Sequence, residues 1–115
     1  MTEKEKMLAG ELYDPGDEEV LKEQAAWQAK LWELNQLRPG QTEEIDAYMH
    51  EVFAECGDNN YIQLPFHANW GGHHVHFGSN IYANFNLTCV DDGNIYIEYG
   101  SELEKLNHRF NDRER

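Results

Sequence analysis

The segment Val75–Ile97, VHFGSNIYANFNLTCVDDGNIYI, carries apolar residues at intervals of six. Val75, Ile81 and Leu87 form one row. Phe77, Ala83, Cys89 and Ile95 form a second, two positions on. A helix repeats every 3.6 residues and a lone strand every 2.0, so neither accounts for six. A parallel β-helix does: each short strand points two residues inward and the chain then turns a corner. Gly78, Asn80, Asn84, Asn86, Asp91, Asp92, Gly93 and Asn94 are the residue types that such corners need.

Ahead of this segment the chain reads as helical. Thr2 and Glu5 have capping-box spacing and start a short helix that stops near Gly10. Tyr13-Asp14-Pro15-Gly16 is a turn, and Asp17 caps a longer helix with Glu18 and Glu19 in its first turn. Val20, Trp27, Leu31 and Leu34 give that helix a buried stripe, widened by Leu21, Ala25 and Trp32, and Arg38-Pro39-Gly40 ends it. Thr42 is expected to cap a third helix with Ile45, Met49, Val52 and Phe53 on its inner face and Gly57 as its stop. These stripes are core packing. Tyr61-Ile62-Gln63-Leu64-Pro65-Phe66 is an extended lead-in.

Composition narrows the function. The formal net charge is −13, which disfavours nucleic acid and anionic membranes, since polyphosphate surfaces attract the opposite sign. No run of apolar residues is long enough to span a bilayer. MTEKEKMLAGE lacks the apolar core of a signal peptide, and Cys56 and Cys89 lack metal-ligand spacing. Together these imply free thiols and a cytoplasmic setting. His67, His73, His74 and His76 invite a metal reading, but strand geometry gathers too few of them. They are read as turn and surface histidines, with no metal.

Phe77-Gly78-Ser79-Asn80, then Tyr82-Ala83-Asn84-Phe85-Asn86 and Val90-Asp91-Asp92, resemble the hexapeptide-repeat sugar O-acetyltransferases, the galactoside and maltose acetyltransferase group. LAGELYDPGD and the stretch from Pro65-Phe66 to Gly71 resemble the same family, so the likeness runs from about Lys6 to Ile97. It implies an α+β chain: a helical region over residues 1–58, the start of a left-handed parallel β-helix over residues 59–97, and a divergent charged tail over residues 98–115, short and helical or irregular. It implies transfer of an acetyl group from acetyl-CoA to a sugar hydroxyl, and a homo-oligomer, the family's trimer. By resemblance Asp14, Asn69, Asn84 and Asp92 bind the acceptor sugar, and Asp92 also orients the family's catalytic imidazole. An amide that donates and accepts suits a sugar hydroxyl that does the same. Asp14 has a plainer reading as the first residue of its turn. Asn84 and Asp92 have one as corner residues. Trp70 is read as a cover over the end of the β-helix rather than a platform under a pyranose.

The departures bear equally on function. The row that should next place an aliphatic residue at 101 finds Ser101, and Leu103, Leu106 and Phe110 of the tail fall at helical spacing. The tail reads as a different end grafted on, as by a frameshift or truncation. The family's general base, a histidine followed by proline, has no counterpart: His108 precedes Arg109. Most of the acetyl-CoA site would lie in later coils. The expectation is an acceptor-binding part of such an enzyme, inactive alone. The alternative is a non-enzymatic binding or oligomerisation module derived from that family. Residues 75–97 should make little more than one coil, with strand edges left open.

Overall fold

The structure, a computed structural model, describes residues 1–98. The expectations for Ser101, for the Leu103–Phe110 pattern and for the tail lie outside the described residues.

Three helices come first: α1 (Glu3–Leu8), α2 (Glu18–Leu34) and α3 (Thr42–Val52). The capping box of α1 is complete: Thr2 Oγ1 accepts from Glu5 N at 3.1 Å, and Glu5 Oε1 accepts from Thr2 N at 2.8 Å. Asp17 caps α2 by accepting from Val20 N at 3.1 Å. Thr42 does not cap α3. It is the first helical residue, the N-cap is Gln41, and no side chain caps the helix. Gly57 does not stop α3 either; Phe53 does, in an extended conformation. On α2, Val20 and Leu34 are buried and Trp27 and Leu31 half-buried, but Leu21, Ala25 and Trp32 face solvent. The wide stripe expected there is therefore narrower, because α2 lies across the side of the β-helix and buries one edge only.

Seven short strands follow: β1 (Glu55–Cys56), β2 (Tyr61–Ile62), β3 (His67–Ala68), β4 (Val75–Phe77), β5 (Tyr82–Ala83), β6 (Thr88–Cys89) and β7 (Ile95–Ile97). They stack as three parallel faces, β1-β4-β7, β2-β5 and β3-β6. Parallel pairing of each strand with the third one after it is a β-helix. The coiling starts at Glu55 and completes two turns, of which residues 75–97 make little more than one, as expected. Ile62, Val75, Phe77, Ile81, Ala83, Leu87, Cys89 and Ile97 fill its interior, and α3 plugs the lower end with Ile45, Met49 and Phe53. Phe53 sits edge-on to Phe77 at 5.3 Å and against Phe66 at 5.7 Å.

The row assigned to Ile95 needs correction. Ile95 pairs with Val75 and is half-buried, while Ile97 takes the inner position beside Phe77. Most corners take four residues, but residues 90–94 separate β6 from β7 and residues 69–74 separate β3 from β4. The longer loop moves the apolar row on by two.

Candidate functional site

The long corner of each coil builds the site. Asp91 is fully buried, and its carboxylate accepts from Trp70 N at 2.7 Å (Oδ1) and from Gly72 N at 3.0 Å (Oδ2). Taking a carboxylate out of water is costly unless donors replace the water, and two backbone N–H groups do so here. The chain turns between those two groups through Gly71 and Gly72, which adopt φ of +66° and +96°. A Cβ on Gly71 would meet the Trp27 carbonyl oxygen at 2.7 Å, and one on Gly72 would meet the Phe53 ring at 2.4 Å. Tyr48 closes the same corner by donating its hydroxyl to Gly71 O at 2.6 Å.

With Asp91 held, Asp92 is turned outward. Its Oδ1 accepts from the Trp70 indole N–H at 3.0 Å and from Asn69 Nδ2 at 3.4 Å. Among the described residues, no donor reaches Oδ2. These three side chains, with Tyr13, Pro15 and Gln24, line a cavity of about 180 Å³ floored by Met7 and Val20. Drug-sized ligands take cavities of ~300–1,000 Å³, so this one suits a smaller ligand. Trp70 is 1% exposed and packs on Met7 and Val20. It is packed on the flank of the β-helix against the helical region rather than over its end, and it also aims Asp92. A larger groove of about 270 Å³ lies between α2 and α3, but Lys30 and Glu51 on its rim pair with each other at 2.7 Å rather than converging on its apolar floor.

The four residues named from sequence are therefore placed in three locations. Asn69 and Asp92 meet in the cavity. Asp14 is exposed just outside it, between the lining residues Tyr13 and Pro15; its Oδ1 accepts from Gly16 N at 2.9 Å, and its N–H donates to Glu3 Oε1 at 2.7 Å. Asn84 stands at another corner, where its Oδ1 accepts from Phe85 N at 3.0 Å.

The histidines separate. His67 and His76 point outward from strands, where each Nε2 meets an asparagine Oδ1 one coil up, Asn86 at 3.1 Å and Asn94 at 3.0 Å. His73 stacks on Trp27 at 3.9 Å. His74 is no surface residue: it is 5% exposed, and its Nδ1 lies 2.7 Å from Asp91 O. Among the described residues no three His, Cys, Asp or Glu side chains form a metal set. Burial pushes the Cys89 thiol up to about 12 and raises the half-buried Cys56 as well.

Asp91, His74 and the backbone N–H groups of residues 70 and 72 were not read as site-building from sequence. The available signal was the paired glycines opposite paired aspartates, since donors freed by glycine corners need acceptors.

Residues 6–57 match the maltose acetyltransferase hexapeptide capping motif. The chain is similar to hexapeptide-repeat sugar O-acetyltransferases. It is 47% identical over 87 residues to a galactoside O-acetyltransferase of Lactococcus lactis, covering 76% of this chain and 42% of that one. A galactoside acetyltransferase solved in complex with coenzyme A superimposes with a TM-score of 0.76 at 32% identity, over 85% of this chain and 48% of that one. A maltose O-acetyltransferase from Clostridium difficile 630 superimposes with a TM-score of 0.78 at 26% identity, over 84% and 52%. The chain thus spans about half the length of the family members it matches. No helix among the described residues is long and apolar enough to cross a membrane.

Proposed function

We propose that this chain carries the acceptor-sugar part of an acetyl-CoA-dependent sugar O-acetyltransferase. The observation that carries the reading is the meeting of Asn69 and Asp92 at the Trp70 indole, above a small cavity. With Oδ1 of Asp92 already occupied, Oδ2 accepts from a sugar hydroxyl, and the Asn69 carbonyl accepts from a second. Fixing two hydroxyls orients a third for attack, which lowers the entropic part of the barrier. Asp14 lies at the mouth, and Asn84 acts from its own corner. In acetyl transfer a base takes the hydroxyl proton as the oxygen attacks the thioester carbonyl, and the coenzyme A thiol leaves. None of the six histidines here precedes proline, so no group matches the family's base and the chain alone is expected to be inactive.

Titrating galactosides and maltose, with Asp92→Asn and Asn69→Ala as controls, tests the binding. Affinity lost about tenfold or more in both variants is expected, equivalent to one lost hydrogen bond to a charged or amide partner. Affinity unchanged in both variants defeats it. Acetyl transfer by this chain above a heat-killed control defeats the expected inactivity.

A second reading has its own support. Tyr82, Phe85, Val90 and Tyr96 stand outward from the β-helix, 49–63% exposed. An oligomerisation module that associates through these faces, as a trimer, would show a concentration-dependent mass by light scattering that Tyr96→Lys lowers.

A further inference from the structure

His74 sits beneath the cavity and belongs to no part of the acceptor reading. Its Nδ1 is 2.7 Å from the carbonyl oxygen of Asp91. A carbonyl only accepts, so Nδ1 carries the proton, and Nε2 of the neutral ring is a bare lone pair. Nε2 is buried and meets no partner among the described residues. The rings of Trp70 and His73 lie 5.0 and 5.2 Å from the imidazole.

Burial opposes a second proton, and the titratable neighbours divide: Lys4 and His73 oppose it and Asp91 favours it. From α1, the Lys4 ammonium lies 5.3 Å from the centre of the Trp70 ring and pairs with Glu23 of α2 at 2.5 Å. Glu23 also accepts from the Trp27 indole at 3.1 Å, and Trp27 stacks on His73. Tyr48 of α3 is neutral, its hydroxyl raised above its usual range by burial and by the charges of Asp91 and Glu51. The Asp91 carboxylate is the favourable neighbour, but both its oxygens already hold backbone N–H groups. A proton on Nε2 would create a buried donor without an acceptor and a cation near Lys4.

We propose that His74 is a proton-sensitive latch: neutral, it closes residues 69–74 onto residues 90–94 and holds Trp70 and Asp92 at the cavity; protonated, it lets that corner open. Only the consequence for ligand binding rests on the sugar reading; the latch itself does not. Burial moves the His74 pKa below 6.5, partly opposed by the hydrogen bond to Asp91. The sign follows. The open state binds more protons than the closed one between the closed-state value and 6.5, so the closed corner loses stability as pH falls through that window. Below the window this group takes away nothing further.

Amide hydrogen exchange on the whole chain, corrected for intrinsic rates, reads the latch. Between about pH 7.5 and about pH 5, protection of the Trp70 and Gly72 amides should fall by about tenfold for each pH unit that His74 is depressed. Protection of Tyr61 and Gln63, on the opposite face, should hold. His74→Gln keeps a donor for Asp91 O without a titrating ring, so its protection should not change with pH. Lys4→Met removes a cation that opposes protonation of His74 and should shrink the acid loss. Flat protection in the native chain, or the same acid loss in His74→Gln, overturns the proposal. If His74→Gln does not fold, an NMR titration of the native imidazole decides: a midpoint below 6.5 supports the latch, and one at or above 6.5 overturns it.

Discussion

Two corners of the β-helix do the same structural task with opposite chemistry. In one, Asn60 reaches between coils: its Oδ1 accepts from Ile81 N at 2.8 Å, and its Nδ2 donates to Gly78 O at 2.6 Å and to Gly57 O at 3.3 Å. In the other, Asp91 accepts from two N–H groups and donates nothing. The first corner offers a carbonyl as well as an N–H, and only an amide satisfies both. The second offers two backbone N–H groups, those of Trp70 and Gly72, and only an acceptor pair satisfies it. A neutral corner holds coils together under any mild condition. A charged one presents a carboxylate and an imidazole where the neighbouring Asp92 faces a cavity, so stability and site geometry are tied together there.

The largest effect expected from this contrast is at Asp91. Asp91→Ala leaves two buried N–H groups unpartnered at about 1–3 kcal/mol each, so a loss of about 2–6 kcal/mol is expected in urea unfolding. Asp91→Asn should recover part of it, because one oxygen remains while the new NH₂ faces a donor. A loss no greater than that of an exposed turn residue would remove the distinction between the corners. Gly72→Ala comes next. It combines a left-handed φ with a Cβ placed 2.4 Å from the Phe53 ring, and about 2–5 kcal/mol is expected from backbone strain plus overpacking.

Asn60→Ala should cost less, about 1–3 kcal/mol, because one buried N–H is orphaned while the freed carbonyls retain partial access to water. Asn60→Asp is the sharper probe. It keeps the acceptor for Ile81 N but sets a carboxylate oxygen against Gly78 O, so it should be worse than Asn60→Ala near neutral pH. If Asn60→Asp proves harmless, the corner does not need its donor, and the matching of side chain to corner fails.

Sequence made the frame legible and hid the corners' contents. Thr2, Glu5 and Asp17 announced helix starts because capping is a local property, satisfied within three residues. The period of six announced the coil because burial imposes it residue by residue. Asn69 and Asp92 are named through family likeness alone, and the cavity joins them; Asn84 lies elsewhere. Asp91, by contrast, looked like any turn former. Polar corner residues share the same preferences for tight φ and ψ whether they face water or the interior, and only the stacking of coils decides which is which. His74 is hidden for the same reason: it is a turn residue, as its setting suggests, but the longer corner at residues 69–74 turns it inward rather than to the surface. The slip of Ile95 against Ile97 has the same origin, a corner length that periodicity cannot see.

The smallest expected effect sharpens the contrast in backbone terms. The left-handed residues of the Asn60 corner are Asn59 and Asn80, with φ of 61° and 60°, joined by a 2.8 Å bond from Asn59 Nδ2 to Asn80 Oδ1. Both are exposed. In the Asp91 corner the left-handed residues are Gly71 and Gly72, both buried. Asparagine tolerates this conformation and can use its side chain where space is open, whereas glycine is required where a neighbour fills the space. Asn80→Gly relieves some backbone strain, loses one exposed hydrogen bond and loosens the unfolded chain, so these terms offset to within about 1 kcal/mol. The reverse exchange, Gly71→Asn, places a side chain against the Trp27 carbonyl, where a Cβ alone would stand 2.7 Å away, and should cost several times as much. Equal urea midpoints for the two exchanges would mean that backbone conformation, rather than the crowding around it, sets which residue each corner takes.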